Sequence, residues 1–580
     1  MRVQITKSKN AECFYIVKSV RKFGKNTNVV VEKLGNLEEV TARANGRDPY
    51  EWAKEYAAEL TRQDKEASKE ITVRLKPASL IEKDVQQSYE IGYLFLQQIY
   101  YELGLNRICR NISRRYKFDY DLNAILSRLI YGRILSPSSK LSTMEYSQTL
   151  AEKPGFELHQ IYRALEVIAS ETDYIQSELY KNSCELYGRN DRVLYYDVTN
   201  YYFEIEEADP EGGLRQYGVS KENKPNPIVQ MGLFLDADGI PLAFCINPGN
   251  TNENATLRPL EKKIISDFEH AEFVVCTDAG LSSSDNRGFN SVMNRRFITV
   301  QSLKKMKQLY RDWALSDEGW QCLKYPGRFF SISYIKEHPN EFQEDIFFKE
   351  QWYRDNGLSQ RYVVTFSLKY MDYLRSIREE HIRRAAKKIS KGDVGHHRPT
   401  DFNRLIAETS YTGDGEIAEN RTYSINEEKI SEEEMYDGFY AVATNLEDDV
   451  SEIIRVNKQR WEIEESFRIM KYEFRSRPVY LSRDDRITAH FTTCFLALIV
   501  FRYLEKIKLK DRYTCSQLIS TLRSMKLCRL KTDGYIPAYT RTDITDDIHK
   551  ASGFRTDYEV ISPGNLKKII AESKKAKKVK

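Results

Sequence analysis

Strand-like and helix-like hydrophobic patterns follow one another along this chain. Short apolar runs at Phe14–Val17 and Val29–Val31, with Gly24-Lys25-Asn26 between them, predict a β-hairpin. A charged, helix-like stretch follows, so residues 1–75 are expected to form a small region of hairpin and helix. Residues 76–186 show helical periodicity, which predicts a helical region. At 580 residues the chain is too long for one ordinary domain, and three or four units are expected.

Residues 187–302 have the pattern of a mixed α/β domain. The predicted elements are strands at 192–203, 227–235 and 240–246, a helix at 254–268, a strand at 272–277, a helix at 284–294 and a strand at 296–302. This β-β-β-α-β-α-β order is the succession of an RNase H-like core. The predicted fold class is therefore α/β, with residues 187–302 as the first part of such a core.

A long interval separates this segment from the next strongly patterned helix. Apolar runs at Phe329–Tyr334 and Tyr362–Ser367 predict strands within the interval. A structureless loop of that length is implausible in a compact domain. We therefore expect a mainly β insertion at residues 303–445. Residues 446–510 are expected to complete the core, and residues 511–580 to form a C-terminal region with a basic tail.

The most informative pattern in the chain begins at Arg460. Arg460, Glu464 and Lys471 are spaced i, i+4 and i+11, which puts them within an arc of about 40° on an α-helix. Beside them runs an apolar stripe formed by Ile463, Phe467, Met470 and Phe474. The pattern predicts a carboxylate between two cations, which suits a metal-dependent enzyme acting on phosphodiesters. An amphipathic helix with ordinary surface charges is the alternative.

Helix geometry also separates Glu464 from the glutamates on either side. Glu462 lies about 100° to one side of Ile463, away from the two cations, and Glu465 points nearly opposite the stripe, toward solvent. We therefore expect Glu464 to be the functional carboxylate. The substitutions Glu462→Gln and Glu465→Gln are expected to be much milder than Glu464→Gln.

Two aspartates follow apolar runs that predict buried strands. Asp197 comes after Val193–Tyr196, and Asp278 comes after Phe273–Thr277 and is followed by Ala279-Gly280. Carboxylates at the carboxyl ends of neighbouring strands face the crevice where ligands bind in open α/β sheets. A strand-end aspartate also serves as a turn or helix-cap residue. Together with Glu464, the two aspartates form a plausible carboxylate set for two metal ions.

The chain resembles the DDE transposases of bacterial insertion sequences, in the cut-and-paste group with an RNase H-like core. That group carries a tyrosine, two residues, an arginine, three residues, a glutamate, six residues and a lysine. Arg460, Glu464 and Lys471 fit this spacing, and Asn457 stands at the tyrosine position. Seven further blocks resemble the family in order: Tyr196–Asn200, Gln216–Lys221, Asp236–Leu242, Pro248–Thr251, Asp437–Tyr440, Arg477–Tyr480 and Ile487–His490.

The resemblance implies that Asp197, Asp278 and Glu464 are both catalytic residues and metal ligands. Asp197 would bridge two divalent cations, while Asp278 and Glu464 would each complete one site. Mg²⁺ is the expected ion because all three ligands are hard oxygens, and Mn²⁺ is expected to substitute. One ion would activate the water that frees a 3′-OH at the element end, and the other would stabilise the leaving oxygen.

The implied function is a transposase that binds the ends of its insertion sequence, cleaves them and joins the 3′-OH ends to target DNA. The expected partner is double-stranded DNA, contacted by Arg460, Lys471 and Asn457 and by the helical region 76–186, and the synaptic complex is expected to hold a homodimer. Two alternatives stay open. An RNase H-like nuclease would cleave DNA without joining it, and a domesticated DNA-binding protein would have lost its catalytic acids.

Composition adds modest constraints. The chain has 89 basic and 85 acidic residues, a net charge of +4, which does not by itself indicate a nucleic-acid binder. Nine cysteines without a C-x-x-C pair indicate neither a disulfide framework nor a zinc site. The N-terminus lacks the apolar region of a signal peptide, and the longest apolar stretch, Phe495–Phe501, is too short to span a membrane. We expect a cytoplasmic, nucleoid-associated protein without a membrane partner.

Overall fold

The computed structural model describes residues 1–8, 11–22, 25–67, 78, 80–355, 357–391, 401–411, 420–530 and 534–575. The last residues of the predicted basic tail, 576–580, lie outside this description. The chain divides into two compact units. The first comprises Met1–Val85 with the short segment Leu530–Asp533, and the second comprises Gln86–Arg529 and Gly534–Lys580.

The first unit is an antiparallel sheet packed against two helices. Its elements are β1 (Arg2–Ser8), β2 (Ala11–Lys22), β3 (Lys25–Asn36), α1 (Leu37–Ala44) and α2 (Pro49–Ala67). The strand β1 precedes the two strands that the sequence predicts and pairs with β2. The side chains of Phe14 and Ile16 point to the helices and are fully buried.

The second unit begins with a short strand, β4 (Ser88–Glu90), and a set of helices. These are α3 (Tyr93–Glu102), α4 (Leu105–Arg115), α5 (Leu122–Leu135), α6 (Lys140–Thr149), α7 (Leu158–Ser170) and α8 (Thr172–Tyr187). Several of them are apolar on most sides; α5, for example, is buried over nearly its whole length. Helices with this pattern are interior elements, and these pack into the main hydrophobic core.

The first part of the core has the predicted order of strands and helices. Its elements are β5 (Val193–Tyr202), β6 (Ile228–Leu235), β7 (Pro241–Pro248), α9 (Glu253–Asp267), β8 (Val274–Thr277), α10 (Ser284–Phe289) and β9 (Arg296–Val300). β5, β6 and β7 form an antiparallel meander, and β8 and β9 run parallel to β5 on its other side. This strand arrangement is that of an RNase H-like core, and the predicted α/β fold class is confirmed.

The inserted segment extends the same sheet. It contains α11 (Gln308–Leu315), β10 (Trp320–Cys322), β11 (Tyr325–Phe330), α12 (Ile332–Glu337), α13 (Pro339–Phe342), β12 (Phe347–Asp355), β13 (Leu358–Phe366), α14 (Leu368–Lys391), β14 (Ile406–Tyr411), β15 (Asn420–Ile425), α15 (Glu427–Glu434) and β16 (Phe439–Thr444). β16 pairs with β9, and β13, β12, β10 and β11 follow outward, which gives one ten-stranded sheet. Helices α14 and α15 with the β14–β15 hairpin enclose a small core of their own.

The chain then returns to the core through three helices and ends in a small C-terminal region. The elements are α16 (Val450–Lys458), α17 (Trp461–Arg468), α18 (Asp484–Arg502), α19 (Cys515–Ser524), β17 (Lys526–Leu530), β18 (Gly534–Pro537), α20 (Asp543–Ser552) and α21 (Pro563–Ser573). β17 pairs with β4 near the start of the second unit. Short π-helical segments extend α17 and α18, at Ile469–Glu473 and Tyr503–Lys508.

α18 is the central helix of the main hydrophobic core. It packs against α5 and α7, and its side chains from Ala489 to Arg502 are buried. In the described part of the chain, Asp484–Lys508 is the one helix long and apolar enough to cross a membrane by length and composition. Because 94% of its most apolar stretch of 18 residues is buried inside the protein, the helix is an interior element.

Candidate active site

Asp197 lies on β5, and Asp278 directly follows the neighbouring parallel strand β8 at the same level of the sheet. The pairing of β5 with β8 runs from Val193 with Val274 to Tyr196 with Thr277, so the two aspartates follow in register. Side chains alternate between the faces of a strand, and both aspartates fall on the face that carries Tyr195 and Cys276. The structure therefore brings these two predicted site residues together.

The two carboxylates differ in their exposure to water. Asp197 is half-buried and accepts a hydrogen bond from its neighbour's N–H, with 2.7 Å between Val198 N and Asp197 Oδ1. Burial raises the pKa of the Asp197 carboxyl to about 6 from an ordinary value of 3.8, although Lys221 and the Val198 N–H act in the opposite direction. Asp278, whose side chain is 52% exposed, accepts from Ala279 N at 2.7 Å.

Two anchors from β5 hold the region of α17 over the same face of the sheet. Tyr195 Oη donates to Val456 O at 3.0 Å and to Gln459 Oε1 at 2.9 Å, just before α17 begins. Two strand positions beyond Asp197, Thr199 Oγ1 accepts from Lys471 Nζ at 2.6 Å, just after α17 ends. Asp197 lies midway between these anchors on the strand. The part of the helix between them consequently passes near Asp197.

The predicted arginine reaches the second aspartate. Arg460 Nη2 lies 3.4 Å from Asp278 Oδ1, and the arginine side chain is only 16% exposed. Lys471 is also largely buried, and burial, together with the nearby charge of Lys221, lowers the pKa of Lys471 to about 8. One cation therefore lies beside Asp278 and the other beside Asp197 and Thr199.

Glu464 lies on α17 between these two cations and is exposed. Within the described residues, no hydrogen bond or ion pair of the Glu464 carboxylate is present. The apolar stripe beside it is buried as predicted, with exposures of 2%, 6%, 0% and 0% for Ile463, Phe467, Met470 and Phe474. The Glu464 carboxylate is thus accessible to a ligand, although the structure does not bring it into contact with Asp197 or Asp278.

Two expectations about the neighbouring glutamates need correction. Glu465 is not turned freely to solvent: it is half-buried and receives two 2.6 Å hydrogen bonds from Arg468. Glu462 is buried, with Oε1 accepting from Lys506 Nζ at 2.8 Å and Oε2 contacting the guanidinium of Arg502. Arg468 is an i+3 neighbour of Glu465 and could have been inferred from helix spacing. The partners of Glu462 lie about 40 residues further along the chain, so helix periodicity does not reveal them.

The single regular helix that the spacing predicts is also interrupted. α17 is regular only from Trp461 to Arg468, and Arg460 occupies the capping position before it. Residues Ile469–Glu473 form a π-helical turn, in which Lys471 sits. A π-helical turn has more residues per turn than an α-helix, so the predicted 40° arc does not describe Lys471. Such turns are frequent at functional sites.

Asn457, at the signature's tyrosine position, lies close to a tyrosine from another element. Asn457 and Tyr440 of β16 line the same groove, and Arg460 Nη1 donates to Tyr440 Oη at 3.4 Å. The groove lined by Asn457 and Tyr440 is apolar, has a volume of about 490 Å³ and also contains Tyr370 and Tyr373 in its wall. A tyrosine hydroxyl therefore stands beside Asn457 and Arg460, although it comes from a position 17 residues earlier.

The described residues contain one compact three-residue group with metal-ligand chemistry, and it is not the predicted triad. The ligand atoms of Asp546, His549 and Asp557 all lie within 4.8 Å of one another. Arg541 and Arg555 already pair with both of these aspartates. The group is thus a neutralised ion-pair cluster, which leaves little negative charge to attract a cation.

Comparison with known proteins identifies the family. A family model described as a transposase DDE domain matches residues 211–500, which is half of the chain. The chain belongs to the DDE transposase family. Asp278 and Glu464 lie inside the matched interval, whereas Asp197 lies before it. The resemblance to DDE transposases is confirmed at this level, while the tyrosine–arginine–glutamate–lysine signature and the insertion-sequence group stay predictions.

Further comparisons give more distant matches. No curated protein matches the sequence. The cryo-EM structure of the piggyBac transposase synaptic complex with hairpin DNA is similar over 83% of this chain and 84% of that chain, with 7% sequence identity and a TM-score of 0.35.

Sequence reasoning missed several charged residues of this transposase that surround the end of β5. Lys221 Nζ donates to Val198 O and lies 3.3 Å from Glu253 Oε1. Glu222 contacts both Lys471 and Arg477. Lys221 and Arg477 stand inside blocks that resemble the family, and that resemblance was the available signal. Their spacing from Asp197 along the chain gives no indication of a contact.

The raised pKa of Asp197 predicts a pH-dependent effect on stability. An acid with a higher pKa in the folded state loses stability as pH rises through the interval from the unfolded to the folded value, here from 3.8 to about 6. The difference between these two pKa values corresponds to a loss of at most about 3 kcal/mol in the free energy of unfolding. Asp197→Asn should therefore raise the free energy of unfolding of the metal-free protein by about 2 kcal/mol at pH 7.5 and much less at pH 4. Denaturant titrations in a chelating buffer at both pH values measure this, and a variant less stable than wild type at pH 7.5 would contradict it.

Proposed function

We propose that this protein is the transposase of a bacterial insertion sequence, which binds the element ends, cleaves the DNA by metal-dependent hydrolysis and joins the 3′-OH ends to target DNA. One observation carries the proposal. Asp197 on one strand and Asp278 at the end of the next follow the same register in an RNase H-like core, and Glu464 lies on the helix α17, between Arg460 at its start and Lys471 just after its end. Membership of the DDE transposase family supports the same activity.

The donor set suits divalent cations, which DDE transposases use. Asp197, Asp278 and Glu464 offer only hard carboxylate oxygens, which Mg²⁺ prefers, and Mn²⁺ is expected to substitute. Since the three sets of ligand atoms do not all lie within 4.8 Å of one another in the described chain, one ion shared by all three fits poorly. We propose two ions, for which Asp197 would be a ligand of both, and Asp278 and Glu464 would each be a ligand of one. Bound there, they would activate water and stabilise the leaving oxygen.

The basic side chains are assigned to the DNA backbone. Arg460 and Lys471 are mostly buried cations at the two ends of the carboxylate set, and phosphates flanking a scissile bond are the natural anions for them. Asn457 is a further candidate contact, through its amide and through the Tyr440 hydroxyl beside it. Arg460 also holds Asp278 in place before substrate arrives, because its guanidinium bridges that carboxylate and Tyr440.

The partners follow from this chemistry. The substrate is double-stranded DNA, both as element ends and as target, and two copies of the protein would hold two ends together in a synaptic complex. Such a protein would work in the cytoplasm, at the nucleoid.

The decisive experiment compares cleavage with joining. The purified protein is incubated with Mg²⁺ and duplexes from the flanks of its own gene, either intact or pre-cleaved to expose the 3′-OH, together with a supercoiled target plasmid. A transposase cleaves the intact end and joins the pre-cleaved one. A nuclease without strand transfer would cleave but never join, and a domesticated DNA-binding protein would bind the flanks without doing either.

Arg460→Lys should lower cleavage by about ten-fold or more, even though the positive charge is kept. A guanidinium binds two acceptors in a fixed plane, here Asp278 and Tyr440 and later a phosphate, whereas an ammonium acts as a point charge. Initial cleavage rates at saturating DNA measure the effect. Lys458→Arg, the reverse exchange at an exposed site two positions away, is the control and should change little. Equal rates for Arg460→Lys and wild type would remove Arg460 from the site.

A further inference from the structure

A rigid turn after β5 presents a carboxylate to the end of that strand. In this turn the Ser220 hydroxyl accepts hydrogen bonds from the backbone N–H groups of Glu222 at 3.3 Å and Lys224 at 3.1 Å. Asn223 adopts the left-handed conformation, with φ at 56°, which asparagine tolerates well. The position of the Glu222 side chain is thus set by a well-defined backbone turn.

The turn is also attached to β5 itself. Asn200 Nδ2 donates to Val219 O at 3.0 Å, and the Lys221 ammonium donates to Val198 O. Both contacts lie within three residues of Asp197 on β5. The loop therefore borders the candidate active site directly.

Glu222 contacts two cations that are largely withdrawn from water. Its Oε1 lies 3.3 Å from Lys471 Nζ and also contacts the guanidinium of Arg477. The exposed fractions of the three side chains are 22% for Glu222, 12% for Lys471 and 11% for Arg477. The segment that carries Arg477 is attached to β5 by a 3.0 Å hydrogen bond from Val479 N to Tyr202 O, and the Arg477 guanidinium lies over the Tyr472 ring. One carboxylate therefore contacts two cations that are both largely buried.

A phosphodiester presents the same chemistry as this carboxylate. Both carry one negative charge on two oxygens, and both accept charge-assisted hydrogen bonds from lysine and arginine. The pair of cations lies next to Thr199 and Asp197, where the backbone of a DNA substrate must pass if the proposed function holds. One cation would be enough to neutralise the Glu222 carboxylate, so the second cation is not required for that ion pair.

We propose that Lys471 and Arg477 form a phosphate subsite for the DNA backbone, and that Glu222 occupies it in the DNA-free protein as an internal substitute for phosphate. This inference rests on the proposed function. DNA binding then requires the phosphate to displace the carboxylate, and Glu222 sets a threshold against weak or non-specific DNA. Arg477 becomes a DNA-binding residue that the signature does not include.

The test compares DNA affinities of charge-neutral variants. Glu222→Gln is measured against wild type and against Glu207→Gln, which neutralises an exposed carboxylate of the same loop. Dissociation constants for a fluorescent duplex of arbitrary sequence are determined over a range of salt concentrations, since phosphate contacts do not depend on sequence. Glu222→Gln should bind about five-fold more tightly than Glu207→Gln, the size of one partly buried ion pair.

Arg477→Ala provides the second arm. It should weaken binding and reduce the slope of log affinity against log salt by about one ion, because one phosphate contact is lost. In the Arg477→Ala background, the gain from Glu222→Gln should shrink, since a single cation remains to be released. Thermal melting of each variant without DNA verifies that the compared proteins are folded. If Glu222→Gln melts at a clearly lower temperature than wild type, Glu222→Ala is used in its place.

The outcomes separate the inference from the function on which it rests. If wild type does not bind duplex DNA even at low salt, the proposed function is wrong. If wild type binds, and Glu222→Gln binds no more tightly than Glu207→Gln, the inference is overturned while the proposed function stands. Weaker binding by Glu222→Gln would also overturn it, because Glu222 would then be holding the cations in place for DNA.

Discussion

Asp197→Asn, Asp278→Asn and Glu464→Gln are each expected to reduce DNA cleavage by about 1,000-fold or more, because each removes a negative charge that is needed to hold a divalent cation at the site. The substitutions preserve side-chain shape. Asp197 on β5 and Asp278 just after β8 follow the register of the two strands, and Glu464 is an exposed, unpaired carboxylate in the described part of α17. None of the three makes an ion pair that the core depends on, so the fold should survive.

The measurement has two parts. Single-turnover cleavage of an end duplex gives the rate, and Mn²⁺ binding followed by electron paramagnetic resonance reports the loss of a metal site without requiring activity. Glu465→Gln, one position along the same helix, is the matched control and should retain nearly full activity, because among the described residues the Glu465 carboxylate pairs with Arg468 alone. An active Glu464→Gln with an inactive Glu465→Gln would show that the wrong helix face has been assigned.

The core of the fold was predictable because its signals are local. The predicted strand at 192–203 is Val193–Tyr202, and the predicted helix at 254–268 is Glu253–Asp267. Both are bounded by polar or capping residues, such as Asn252, whose side chain accepts from Asn254 N. The predicted helix at 284–294 is shorter, ending at Phe289, because Asn290 caps it. Apolar periodicity therefore locates a helix or strand reliably, but it does not define the residue at which the element ends.

The position of the inserted strands was not predictable in the same way. The predicted strand Tyr362–Ser367 falls largely within β13, whereas the predicted strand Phe329–Tyr334 is wrong for most of its length, because β11 ends at Phe330 and helix α12 begins at Ile332. Apolar runs also do not indicate which strands pair with each other. Their pairing depends on β16, which joins β13 on one side and β9 on the other. Contacts between residues so distant in sequence leave no trace in a local pattern. The single ten-stranded sheet therefore emerges only in the structure.

The residues of the candidate site could be predicted from the sequence only in part. Arg460 and Lys471 could be selected from spacing, and both lie near the aspartates. The π-helical turn that carries Lys471 could not be foreseen from spacing. Nor could the meeting of Asn457 with Tyr440, since one side chain comes from a helix and the other from a strand of the insertion. Residue type and periodicity identify candidates, while packing decides which of them meet.

Glu462 shows most clearly what the sequence alone could not reveal. Helix periodicity predicts a peripheral residue whose replacement is mild, but its carboxylate is buried between Arg502 and Lys506 from the end of α18. Gly239, which has a φ of +74°, makes this approach possible: a β-carbon there would lie 2.8 Å from Glu462 Oε2. Arg502 also donates to Gly239 O, so α17, α18 and the β6–β7 turn meet at one buried ion cluster.

Glu462→Gln is therefore expected to lower the free energy of unfolding by about 2–3 kcal/mol, somewhat less than the full cost of breaking a buried ion pair. The cost arises because Arg502 and Lys506 stay buried with less negative charge around them. It stays below the full value because Glu505 still pairs with Arg502 and Asp511 still pairs with Lys506. The loss should appear as a lower denaturation midpoint of the larger unit.

Glu465→Gln again serves as the control for this measurement. Its ion pair with Arg468 is an i, i+3 contact on the surface, with the arginine 44% exposed, and such pairs contribute about 0.5 kcal/mol or less. Cleavage by Glu462→Gln, assayed well below its melting temperature, should remain within about three-fold of wild type, since the carboxylate faces Arg502 and not the aspartates. Equal stability of the two glutamine variants would mean that the buried cluster does not stabilise the junction of α17 and α18. A stable but inactive Glu462→Gln would instead place this carboxylate in the catalytic site.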